Sequence, residues 1–149
     1  MMVFPWGQTG TPLEKHEGPR LWQKKILSDM AIHIAGNKGK LNFEVFRQAV
    51  ASGRGVGKSA LMSWIVVWYL STRVGATALV SANGEAQLRT IAWPEITKWV
   101  SMSINSHWWE SASTSIRPAA WLATLVERDL KISPRAWAAE GRLWSKENP

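Results

Sequence analysis

Apolar positions recur at intervals of three and four residues early in the chain. In PRLWQKKILSDMAIHIAGN, the residues Trp22, Ile26, Leu27, Met30 and Ile34 fall on one face of a predicted helix. Pro19 stands where a helix can begin, and Gly36 with Asn37 can end it. His33 lies off the apolar face and reads as an exposed helix residue. The preceding stretch, MMVFPWGQTGTPLEKHEGP, is punctuated by Pro, Gly and Thr and has no clear period. Residues 1–19 therefore read as an extended N-terminal segment packed on a domain that starts at residue 20.

Beyond the polar turn NKGKLNF, the run VFRQAVA predicts a short strand and KSALMSWIVVWYLSTR a helix. From Ala60 to Leu70 that helix is apolar on every side. It is too short to span a bilayer, which needs about 20 residues, so it belongs between the layers of a core. Gly75 closes it, and ATALVSA predicts a buried strand. Strand, loop, helix and strand in that order make a βαβ unit, which implies parallel strands and a right-handed crossover. NGEAQLRTIAWPEITKWVSMSIN predicts a further helix whose apolar face is Leu88, Ile91, Ala92, Ile96, Trp99 and Val100, kinked at Pro94. HWWESASTS reads as a polar loop, AAWLATLVERD suits helix and strand alike, and Ser145 with Glu147 mark the start of another element.

The loop between the predicted strand and the apolar helix carries the chemistry. In AVASGRGVGKSALMSW, Gly57, Lys58 and Ser59 match the end of the phosphate-loop pattern, which is Gly, four free residues, Gly, Lys, then Ser or Thr. Ser52 occupies the first glycine position, a small residue in place of none. Gly53 and Gly55 add backbone freedom beside Arg54 and Val56. Glycines let successive N–H groups converge on phosphate oxygens, and a helix opening at Gly-Lys-Ser adds its own free N–H groups and dipole. In that chemistry Lys58 reaches the β- and γ-phosphates and the Ser59 hydroxyl binds Mg²⁺.

Composition narrows the alternatives. A chain of 149 residues with 46% hydrophobic content fits one globular domain. There is no cysteine, so disulfides and thiolate metal sites are excluded, and His16, His33 and His107 lack the spacing of zinc ligands. No basic stretch followed by an apolar run begins the chain, so a secretory leader is not expected. The net charge of +7 suits an anionic partner, yet the basic residues are scattered rather than clustered. Eleven tryptophans stand out. Most sit among apolar residues as core, while Trp108-Trp109 fits either core or an uncovered surface.

Hydrolysis of a nucleotide also needs an acid at the end of an apolar strand to hold Mg²⁺. The nearest match, TLVERD at Thr124 to Asp129, has a short apolar run before Glu127 and is a poor candidate. No catalytic residue is assigned from the sequence.

Taken together these stretches resemble the N-terminal part of a tailed-bacteriophage terminase large subunit, the motor that packages viral DNA. The likeness runs over nearly the whole chain: FPWGQTGTPLEKHEGPRLWQKKIL resembles the family's start, AVASGRGVGKSALMSW its phosphate loop, SANGEAQLRTIAWPEITKW the segment after the second strand, and WAAEGRLWSKENP the approach to the second half of the ATPase domain. The resemblance implies an α/β phosphate-loop ATPase domain with a parallel sheet and flanking helices, present here over residues 20–149 as an incomplete N-terminal part. It implies ATP and Mg²⁺ as ligands, with Gln23 similar to the glutamine that reads adenine and Arg54 to a basic residue proposed to touch the nucleotide. Asn83, Glu85 and Gln87 would stand at the ligand-binding edge of the sheet, though turn and cap roles explain them as well. For the full motor it implies double-stranded viral DNA, a terminase small subunit and the capsid portal as partners, in the cytoplasm of a bacterial host and away from membranes. The family's acidic strand motif and nuclease are not visible in this chain, so neither activity is assigned to it. A helicase-like phosphate-loop ATPase and a non-functional prophage remnant are the alternative readings.

Overall fold

The computed structural model describes residues 3–143. Ser145 and Glu147, read as the start of a further element, lie outside them. Residues 3–15 fold into successive turns rather than run extended. Gly7 N–H bonds to Leu13 O at 3.0 Å, and Val3, Phe4 and Leu13 are buried.

Helix α1 spans Leu21–Asn37 and α2 spans Lys58–Thr72. On α1, Ile26 is buried, Trp22, Leu27 and Met30 are half-buried, and Ile34 is exposed. His33, expected to be exposed, is half-buried because the chain doubles back along the helix. Its Nε2 lies 2.7 Å from Glu44 O and its ring tilts against Phe46 with centroids 5.3 Å apart. Asn37 secures the reversal, accepting from Glu44 N–H at 3.1 Å and donating to His33 O at 3.0 Å.

The run VFRQAVA, residues 45–51, forms no strand. Its sequence has the propensity, but a strand exists only where a neighbour takes its N–H and C=O groups, and no ladder partner is present among the described residues. The expected βαβ unit across the loop is therefore absent. Strand β1, Thr77–Ala82, pairs in parallel instead with β4, Ala138–Leu143, from near the other end of the chain.

The sheet is mixed rather than parallel. Between β1 and β4 in sequence lie β2 (Trp109–Ser111) and β3 (Ser115–Pro118), an antiparallel hairpin inside the stretch read as a polar loop. Ala112 N–H closes its turn on Ser115 O at 2.8 Å. The hairpin was hidden because its strands are only three and four residues long, with Trp109 and Ile116 facing inward among exposed polar neighbours. β3 pairs antiparallel with β4, giving a four-stranded open sheet of order β1-β4-β3-β2. AAWLATLVERD proves helical: α5 covers Ala120–Leu130, burying Leu122 and Val126 four residues apart.

The predicted helix around Pro94 runs without a break through α3 (Glu85–Gln87), a π-helical turn (Leu88–Ala92) and α4 (Trp93–Ser101). Trp93 N–H reaches back five residues to Leu88 O, and Pro94 then enters the first turn of α4, where its missing N–H is best tolerated. Gly141, on the central strand, lets this helix approach the sheet: a Cβ there would stand 3.0 Å from Leu88 Cδ2.

The helices flank the sheet around an aromatic core. Trp64 of α2 meets Trp99 of α4 edge-on with centroids 5.0 Å apart, and Trp6 and Phe4 close the cluster at 5.4–5.7 Å. Trp137 is 1% exposed and donates its indole N–H to Leu70 O at 2.9 Å, pinning the end of α2 to the start of β4. Trp109 is core, packed against Trp137 at 5.0 Å, whereas Trp108 is half-buried beside His107. Among the described residues no helix is long and apolar enough to cross a membrane.

Candidate functional site

The Gly-rich loop ends in α2, and its last residues adopt the backbone that the sequence pattern requires. Gly55 has φ +73° and Gly57 has φ 90° with ψ 25°, both in the left-handed region open to glycine. Gly57 caps α2 directly. Its carbonyl accepts the first helical bond, from Leu61 N–H at 3.1 Å, so the free N–H groups of the first turn begin at Lys58. The Ser63 hydroxyl is fully buried and donates to Ser59 O at 2.7 Å, which fixes that turn from the core side.

Lys58 folds back into the loop. Its ammonium donates to Ser52 O at 2.5 Å and Gly53 O at 3.2 Å, so it closes the loop on itself instead of pointing into solvent. Ser52, Gly53, Arg54, Gly55 and Ser59 are exposed, and Val56 and Gly57 half-buried. The structure thus brings Ser52 to Ser59 together around one cation at a helix N-terminus, where the dipole favours negative charge.

Gln23 stands below the loop and is 2% exposed, which excludes a solvated helix role. Its Oε1 accepts from Arg20 N–H at 2.8 Å and its Nε2 donates to Gly57 O at 2.9 Å. Both polar ends are engaged within the chain. Arg20, which the sequence reading did not single out, also reaches the loop, its Nη1 donating to Val56 O at 3.4 Å. A signal existed for this pair. A residue before a helix followed three places on by Gln is the spacing of a capping box, and Arg20 and Gln23 have it.

Beside the loop opens a cleft of about 580 Å³. Lys58 and Ser59 stand at it together with apolar residues of α1, α2 and β1, such as Ile26, Ile65 and Val80. Phe46, Gln48 and Val50 supply another wall, at the alternate positions expected of extended chain. Among the described residues no carboxylate lines the cleft. The loop therefore fits the anionic part of a phosphate ligand, and Ser59 offers a hydroxyl for a cation held between it and phosphate oxygens. The carboxylate that commonly completes such a Mg²⁺ site is not among the lining residues.

The remaining candidates lie apart or are otherwise engaged. Glu127 is exposed on α5, not at the end of a strand. Asp129 beside it is held by Arg128, whose hydrogen bonds push its carboxyl below the ordinary range. Asn83, Glu85 and Gln87 are exposed just after β1, and Glu85 pairs with Arg89 at 2.7 Å across one helical turn. Among the described residues no group of three His, Asp or Glu side chains could hold a metal ion.

No protein-family model matches the chain, and no curated protein or solved structure matches it significantly.

Proposed function

We propose that residues 52–59 bind the phosphates of ATP, and that the chain is the ATP-binding part of a DNA-packaging motor of the terminase large-subunit type, built on a phosphate-loop fold. The observation that carries the nucleotide reading is Lys58, drawn into a loop of exposed backbone that opens α2 through a left-handed Gly57. Phosphate oxygens would replace the Ser52 and Gly53 carbonyls as partners of Lys58, exchanging neutral acceptors for charged ones, which roughly doubles the strength of such bonds. Mg²⁺, when bound, neutralises phosphate charge; Ser59 would hold it from the protein side.

The motor reading rests on the separated sequence likenesses and on the basic character of the chain. It places viral double-stranded DNA, a terminase small subunit and the capsid portal as partners of the full assembly. Turnover needs an acid that none of the cleft residues supplies, so binding, and not hydrolysis, is the activity expected of residues 3–143.

Calorimetric titration with Mg-ATP tests the site. Wild type should bind and Lys58→Ala should lose at least about tenfold in affinity, the worth of one charge-assisted hydrogen bond, with an unchanged melting temperature. Equal affinity in the two proteins would remove the loop from the site.

A further inference from the structure

Gln23 is a buried polar side chain that touches the loop from α1, and its geometry determines more than its own burial. Gly57 O accepts two hydrogen bonds, one from Leu61 N–H at 3.1 Å along α2 and one from Gln23 Nε2 at 2.9 Å across from α1. In a trans peptide the C=O and the following N–H point in opposite directions, and every peptide bond described is trans. Fixing the Gly57 carbonyl toward α1 therefore aims the Lys58 N–H the other way, out over the loop. The amide comes so close that a Cβ on residue 57 would stand 2.8 Å from Gln23 Nε2. Gly57 is required here twice, once for its positive φ and once for this contact.

We infer that Gln23 is a positioning residue for the phosphate tail of a nucleotide, acting through the Gly57–Lys58 peptide, and that it is blind to the base. This rests on the phosphate-loop reading above. The other end of the amide supports it. Oε1 is held by Arg20 N–H at the start of α1, and the side chain is 2% exposed and does not line the cleft, so a purine seated there would not meet it. Arg20 braces the same loop through Val56 O. The start of α1 is thus a strut under the loop, and the strut sets the direction of the N–H groups that a phosphate would meet.

The test uses the full chain and two variants. Gln23→Met keeps the length of the side chain and removes both arms. Gln23→Glu keeps the acceptor for Arg20 N–H, removes the donor to Gly57 O and adds a negative charge under the loop. Dissociation constants are measured for Mg-ATP, Mg-GTP and inorganic tripolyphosphate. Gln23→Met should weaken all three by the same factor, about tenfold, the value of one buried hydrogen bond, and Gln23→Glu should weaken all three by at least that factor because of its added charge. Weaker binding of ATP alone, with tripolyphosphate unchanged, would make Gln23 a base reader and overturn the inference.

Exchange of the Leu61 amide, measured without any ligand, separates this inference from the reading it rests on. Loss of the strut should speed that exchange about tenfold relative to amides late in α2. If wild type binds none of the three compounds, the phosphate reading fails, while faster Leu61 exchange in both variants still upholds the strut. Unchanged exchange in Gln23→Glu, the variant that keeps the helix cap, overturns the strut whatever binds.

Discussion

The two sides of α2 carry similar residues and meet different surroundings. On one side Trp64 and Val67 pack into the aromatic core with α4 and the N-terminal turns, and Ser71 receives the Asn105 amide at 2.8 Å. On the other side Leu61, Met62, Ile65 and Val66 border the open cleft that runs past the loop. On the first side Trp64 and Val67 are buried; on the second Leu61 and Val66 are buried as well, while Met62 and Ile65 stay half-buried at the cleft. The helix is rigid because of one face and presents its N-terminus to ligands beside the other. A phosphate-binding turn needs both, a fixed backbone behind it and free space before it.

Changes on the closed side should cost most. Trp64→Ala removes the ring at the centre of the cluster, and such truncations cost about 3–5 kcal/mol. The low end is expected here, because the buried Trp64 indole N–H has no acceptor among the described residues and its loss is a small relief. Denaturant unfolding measures this. A cost under about 1 kcal/mol would mean that the tryptophan cluster does not hold the helix.

Enlarging a side chain separates the two sides more directly. Val67 is 1% exposed, so Val67→Phe should overpack and destabilise by about 1–3 kcal/mol. Ile65→Phe grows into the cleft and should stay within about 0.5 kcal/mol of wild type. Equal penalties in the two variants would show that the cleft is closed in solution.

The smallest effect belongs to the wall of the cleft. Phe46 is half-buried and leans on His33. Phe46→Ala should cost about 1 kcal/mol, the scale of a single aromatic contact, and leave α2 unchanged. Amide exchange across residues 45–51 should be fast in both proteins, since no ladder protects it. Strong protection there in wild type would restore the strand that the sequence predicts.

Much of the helical framework was legible in the sequence. The period of α1 and the glycine before α2 are local signals, and local signals survive any tertiary arrangement; Pro94, read as a kink, instead enters the first turn of α4 after a π-helical turn. The loop was legible for the same reason: only glycine suits the backbone at Gly55 and Gly57, and the pattern records it. The strands were harder. VFRQAVA has a strand's composition and no partner among the described residues, while Trp109–Ser111 looks like loop and pairs with β3. Pairing is a property of two segments, so neither stretch could announce it alone. Gln23 shows the same limit in a side chain. Its place on α1 followed from periodicity, but its bond to Gly57, thirty-four positions away, required the fold.

The sequence by itself determined that α2 is apolar all round, that a glycine-rich turn precedes it and that Lys58 and Ser59 open it. These follow from side-chain chemistry and backbone sterics within a few residues. Only the tertiary structure decided which face of α2 is filled and which borders a cleft, that β1 pairs with β4, and that a glutamine of α1 holds the loop from below. Each of those depends on which distant surfaces meet, and an apolar residue satisfies the same pattern whichever surface it meets.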